Sequence, residues 1–192
     1  MTRAILVRHA ESEFSVRAAV SSDPAVQVGL TPAGEEQARG LGRSLKDEQI
    51  DICIVTELER TRRTAELALE GRNVPVVVVP ELNDPRAGSF EGGPLDDFRA
   101  WSWAHGSADE PPGGGESRRA LAARLARGYR RVLERPEPTV LVVGHALPMA
   151  YVLGGPMPRI DMLDYVKPYR LEREQLEDAV ARLEAWAAAP TW

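Results

Sequence analysis

The sequence predicts an α/β fold, a three-layer sandwich whose mostly parallel sheet carries helices on both faces. Two observations predict it. Short aliphatic runs recur near residues 4–8, 51–56, 75–80 and 139–144, and stretches with helical spacing of apolar residues lie between them. Val76 to Val79 and Val140 to Val143 are nearly continuous, the pattern of strands covered on both faces. A third observation concerns function. Each run is followed by polar residues, and in open α/β sheets ligands bind beyond the carboxyl ends of the strands.

The first run, Ala4-Ile5-Leu6-Val7, leads straight into Arg8-His9. Thr31-Pro32 then reads as an N-cap with proline in the first turn, and Ala38, Leu41 and Leu45 repeat at helical spacing to about Asp47. The second run contains Cys53, the single cysteine, which can form neither an internal disulfide nor a Cys-based zinc site and reads as a small buried hydrophobe. A helix over about 58–70 follows and carries Arg60 near its start. The third run leads to Asp84.

From about 84 to 117 the strand–helix rhythm breaks. Prolines, glycines and an aromatic patch (Phe98, Trp101, Trp103) suggest a long lid-like excursion with one short helix near 95–104. The tract Pro111-Pro112-Gly113-Gly114-Gly115 reads equally well as a loose surface loop. A helix over about 117–134 has Leu121, Leu125, Val132 and Leu133 as its apolar stripe. Its arginines, Arg118, Arg119, Arg124, Arg127, Arg130 and Arg131, read as a solvated face. The fourth run ends in Gly144-His145 and a helix follows. A further strand within 163–171 and a final helix over about 172–188 complete the chain, read as one domain over 1–192.

Composition limits the function classes. The 192 residues suit one sizeable core, and 43% hydrophobic with 28% charged residues is ordinary for a globular enzyme. A net charge of −5 argues against a nucleic-acid binder. No apolar run approaches a membrane span, and Arg3 and Arg8 bracket only four apolar residues, too few for a signal peptide. The expectation is a cytoplasmic protein, monomeric or homodimeric.

The strand ends collect two arginines, two histidines and a carboxylate. Guanidinium forks and imidazoles suit a tetrahedral oxyanion such as phosphate. The carboxyl group makes sense there as a proton donor. No spacing of carboxylates or histidines suggests a metal site, so no cofactor is expected.

Leu6-Val7-Arg8-His9-Ala10-Glu11-Ser12 resembles the signature of the histidine phosphatase superfamily, the phosphoglycerate mutase-like proteins. Gly29 to Gly34 with Gln37-Ala38, Leu58 to Ala65, Gly88 to Gly92, Gly115-Glu116-Ser117 and Val142 to His145 resemble later blocks in the same order. The resemblance covers about residues 4–155. It implies that His9 is the nucleophile that becomes phosphorylated, and that Arg8, Arg60 and a protonated His145 hold the phosphoryl oxygens. The family's acid–base glutamate lies two residues past a leucine, and the matching position here is Asp84, one methylene shorter. Misplacing a catalytic group by about 1 Å can cost roughly a hundredfold in rate. Either the backbone moves Asp84 inward, or Glu91 or a water assists, or protonation of the leaving group is weak. Ser15 stands where many members carry an asparagine and is a candidate supporting group. The implied activity is hydrolysis of phosphomonoesters through phosphohistidine, with a small phosphorylated metabolite as substrate. The alternatives are phosphoglycerate mutase-type transfer, which resembles longer chains, and a phosphate- or partner-binding module with little turnover.

Overall fold

A computed structural model describes residues 1–156 and 163–191. Five strands form one sheet in the order β3-β2-β4-β1-β5: β1 (Arg3–Arg8), β2 (Ile52–Val55), β3 (Val76–Val78), β4 (Thr139–Gly144) and β5 (Pro168–Glu172). Strands β1, β2, β3 and β4 run parallel; β5 pairs antiparallel with β1. β5 begins at Pro168, so the proline that interrupts the 163–171 run sits at the first position of an edge strand, where a missing N–H is tolerated.

The period of two along the central strands divides the core. Ala4, Leu6, Ile52, Ile54, Val140 and Val142 face one layer, against the helices α5 (Arg118–Leu133) and α7 (Arg173–Ala188). Ile5, Val7, Cys53, Val55, Leu141 and Val143 face the other, against α2 (Pro32–Ser44) and α3 (Glu59–Ala68). With both faces covered, β1, β2 and β4 can be aliphatic throughout. β3 departs from that expectation. Val76 and Val78 are exposed, because β3 is a three-residue edge strand that buries only its Val77 side. Cys53 is fully buried, and burial pushes its thiol up to about 12.

The caps follow the local sequence. Thr31 Oγ1 accepts from Gly34 N at the start of α2, and Ser117 Oγ accepts from Ala120 N at the start of α5. A four-residue helix, α1 (Glu13–Val16), is capped by Ser12 and was not evident as a helix in the sequence.

The excursion is packed. It contains single turns at Pro80–Leu82 and Gly88–Phe90, the helix α4 (Leu95–Ala104), and the glycine tract. The tract is braced and not loose: Ser89 N–H donates to Pro112 O at 2.7 Å. Gly88 and Gly113 both have positive φ, and a Cβ on Gly88 would stand 2.1 Å from Pro112 O, so only glycine fits that crossing. The helix α6 (Ala146–Gly154) follows β4 directly.

Candidate active site

The strand ends that the sequence singles out converge on one cavity of about 500 Å³, lined by Arg8, His9, Ser15, Arg60 and Asp84 among others. Register brings the pieces together. Arg8 is paired with Gly144 across β1 and β4, and His9 N–H donates to Gly144 O at 2.9 Å. His9 and His145 therefore leave neighbouring strands side by side, with ring centroids 5.3 Å apart. Thr64 on α3 accepts from Ala10 N at 3.0 Å and donates to Arg60 O at 2.6 Å, which ties the turn after β1 to the helix that carries Arg60.

His9 Nδ1 lies 2.7 Å from Ala10 O. A carbonyl only accepts, so Nδ1 carries the proton and Nε2 holds the lone pair. Nε2 accepts from Arg60 Nε at 3.1 Å. Burial first, then the Arg60 charge, hold His9 well below the ordinary imidazole range and so neutral.

Arg60 is the hub. Besides His9, its guanidinium donates to Ser21 Oγ (3.2 Å), Ser21 O (2.9 Å) and Asp84 Oδ2 (2.8 Å). Arg8 donates to Leu163 O at 2.6 Å and lies 3.8 Å from the Tyr165 ring centroid. Its buried Nε has no partner among the described residues. Burial pulls Arg8 below its ordinary value. Two buried guanidinium groups with an unsatisfied donor make an anion cage.

His145 is fully buried beneath this layer. Its Nε2 is 3.0 Å from Thr56 Oγ1. Thr61 Oγ1 donates to Leu58 O at 2.9 Å, so Thr56 Oγ1 spends its proton on Thr61 Oγ1 at 2.9 Å and must accept from His145. That count puts a proton on Nε2 of His145. Its Nδ1 faces Arg60 Nη2 and Asp84 Oδ2, each at 3.3 Å. Burial first, then Arg60, Arg124 and Arg8, hold His145 well below the ordinary imidazole range. These effects favour the neutral imidazole; the protonated His145 expected from the sequence would need the charge of a bound phosphoryl group. Surrounding cations and loss of water outweigh the single carboxylate.

Asp84 reaches both Arg60 and His145 despite its shorter side chain. Its backbone is held by Arg124. That guanidinium donates to Glu81 O, Asn83 O and Asp84 O, and bonds both oxygens of Glu116 at 2.8 and 2.6 Å. Arg124 is thus a buried brace and not part of a solvated face. Its neighbours on α5 are turned outward, where Arg130 pairs with Glu184 and Arg131 with Glu81.

Ser15 lines the cavity and shares a hydrogen bond with Ser12 Oγ at 2.8 Å. Glu91 lies away from the cage. Its carboxylate accepts from Ser22 N and from Ser22 Oγ (2.6 Å), and so fastens the loop before α4. Ser21, Thr56, Thr61, Tyr165 and Arg124 were missed in the sequence. Thr56 carried the same signal as His9, a polar residue just past a strand; the others carry no local pattern. Among the described residues, no group of three or more His, Cys, Asp or Glu is placed to hold a metal ion. No helix there is long and apolar enough to cross a membrane.

The model of the histidine phosphatase superfamily (branch 1) matches residues 4–164. An adenosylcobalamin/α-ribazole phosphatase of Escherichia coli (strain K12) is 31% identical over 166 residues, covering 79% of each chain. A 2,3-bisphosphoglycerate-dependent phosphoglycerate mutase of Methylobacterium sp. (strain 4-46) is 37% identical over 146 residues, 68% of each. The crystal structure of the α-ribazole phosphatase from Shigella flexneri superposes with a TM-score of 0.74 at 29% identity, over 88% of this chain and 89% of that one.

Proposed function

Because the chain belongs to the histidine phosphatase superfamily, branch 1, and is a hydrolase of small phosphomonoesters, we propose that it works through a phosphohistidine on His9. The observation that carries this is the fixed tautomer of His9: Nδ1–H is committed to Ala10 O, and the Nε2 lone pair faces the cage. A neutral imidazole held this way is a ready nucleophile.

The arriving phosphoryl group takes over Arg60 Nε from His9 and engages the unpaired Nε of Arg8. Nε2 of His9 then attacks phosphorus in line, forming the N–P bond as the P–O bond to the leaving group breaks. Asp84, carrying a proton taken from the monoanionic form of the substrate, gives it to the departing oxygen. In the second half, Asp84 takes a proton from water, whose oxygen attacks the phosphohistidine; inorganic phosphate leaves and Nε2 regains its lone pair. Charge on the equatorial oxygens is met by Arg8 and Arg60. His145, with Nε2–H held by Thr56, accepts from Arg60 Nη2 through Nδ1 and so orients the guanidinium.

Rapid quenching of the enzyme with a ³²P-labelled ester tests the proposal. We expect an acid-labile, base-stable protein adduct that is absent from His9→Ala; burst turnover without such an adduct overturns it. The phosphoglycerate mutase relative favours a second reading, in which the phosphoryl group returns to a sugar acid. Release of inorganic phosphate from monoesters without 2,3-bisphosphoglycerate decides for hydrolysis.

A further inference from the structure

The cage occupies one end of a cavity far larger than a phosphoryl group needs, and the rest of its wall is unusual. Helix α4 buries none of its residues in the core. Its half-buried side chains Leu95, Phe98 and Trp101 instead line the cavity. Phe98 is set by Phe90, with ring centroids 5.7 Å apart. Phe14, Leu147 and Tyr151 line the same space. Trp101 also packs on Phe90 at 6.1 Å and stacks on His105 at 4.2 Å, and what these rings leave facing the cavity is open to a partner from solvent.

The charged groups around this space are already committed. Arg99 pairs with Asp96 at 3.2 Å, and Arg118 donates to His105 O at 2.6 Å. Asp109 accepts from Gly106 N at 2.7 Å, and Glu116 is held by Arg124. Each lining charge outside the cage thus already has a partner, though Arg118, bonded to a neutral carbonyl, keeps its positive charge. Aromatic side chains favour flat partners, by offset stacking or edge-to-face contact.

We infer that the leaving group of the substrate is a flat, largely apolar body, an aryl or heteroaryl group, which fills the space beneath α4. The inference rests on the cage's being the phosphoryl site of the proposed reaction. It makes Phe98 and Trp101 determinants of specificity, binding the part of the substrate that departs with the ester oxygen.

Phosphonates test this without turnover, since their C–P bond offers no leaving oxygen. Affinities of 2-naphthylmethylphosphonate, methylphosphonate and phosphonoacetate for the whole protein are measured by calorimetry. We expect the naphthyl compound to bind at least tenfold more tightly than either of the others. Phe98→Ala and Trp101→Ala should each remove most of that advantage and change the affinity for inorganic phosphate less than twofold; Leu147→Ala tests the opposite wall. Equal affinities for the three phosphonates, tighter binding of phosphonoacetate, or variants that weaken all ligands alike overturn the inference. Hydrolysis of 2-naphthyl phosphate is assayed separately. If the affinities come out as expected but the ester is not cleaved, the catalytic proposal falls and the aromatic wall stands.

Discussion

Asp84 is one methylene shorter than the glutamate of the family's pattern, and it still contacts the cage. Oδ2 reaches Arg60 at 2.8 Å and His145 at 3.3 Å, and the Asp84 carbonyl is held by Arg124 at 3.2 Å. If Asp84 protonates the leaving oxygen, its loss should hurt basic leaving groups most. Asp84→Asn should slow a sugar phosphate by roughly 10²–10⁴-fold and largely spare p-nitrophenyl phosphate. An equal, small effect on both would remove Asp84 from the acid role. With Asp84 O pinned by Arg124, the backbone cannot retreat to admit a longer side chain, so Asp84→Glu should lose activity as well. The two imidazoles give a pH prediction. Both sit well below the ordinary value of 6.5 in the folded state, through burial first and then neighbouring charges. Below about pH 6.5 the unfolded chain therefore takes up protons that the folded one refuses. Stability is full above that pH and falls on acidification, by about 1.4 kcal/mol per pH unit for each histidine. His145→Gln should flatten the dependence of Tm on pH between about 7.5 and 5.5, whatever its Tm at the upper end. A slope equal to that of the wild type would mean that His145 is already charged when folded.

Among elements, α5 shows how a sequence pattern can mislead. Six arginines on one helix read as a solvated face, and most of them do lie outward. Arg124 is the exception because its five N–H groups all find acceptors, three of them carbonyls of the segment that delivers Asp84. No periodicity marks it, since the partners come from residues 81–84 and 116, distant in the chain. Arg124→Met leaves the buried Glu116 carboxylate with only the exposed Arg86, at 3.7 Å, as counter-ion and should cost about 3 kcal/mol in a denaturant titration. Adding Glu116→Gln should restore part of that stability. It should not restore turnover of alkyl esters, because the carbonyls of Asn83 and Asp84 remain unheld. Full recovery of both would make the brace purely structural. The other elements were legible in proportion to how local their causes are. The Thr31 and Ser117 caps and the alternation in β1, β2 and β4 depend on neighbours in sequence. The exposure of β3 and the antiparallel direction of β5 depend on place in the sheet, which one strand does not encode. The glycine tract was undecided because its partner, the Gly88 turn, lies more than twenty residues away.

For the whole molecule, the cage was legible because four strand ends each contribute to it, while the residues that hold the cage in place were not. The chain is acidic, with a net charge of −5, yet it buries Arg8 and Arg60 side by side, where each cation disfavours the other. An anion should relieve that repulsion and satisfy Arg8 Nε, so phosphate should bind the folded chain alone and stabilise it. At a hundred times its Kd, inorganic phosphate should add about 2.7 kcal/mol. For a chain of this size that raises Tm by roughly 5–10 °C. Arg60→Lys should lose most of the shift, since a lysine cannot reproduce the fork that holds Ser21, Asp84 and the anion together, and kcat/KM should fall at least about tenfold. The guanidinium groups supply the positive charge themselves, so excess EDTA should leave both the phosphate shift and the turnover intact. A shift that vanishes on chelation and returns with one divalent ion would show that the cage is only half of the anion site. A shift that survives in Arg60→Lys would show that the anion binds elsewhere on the molecule.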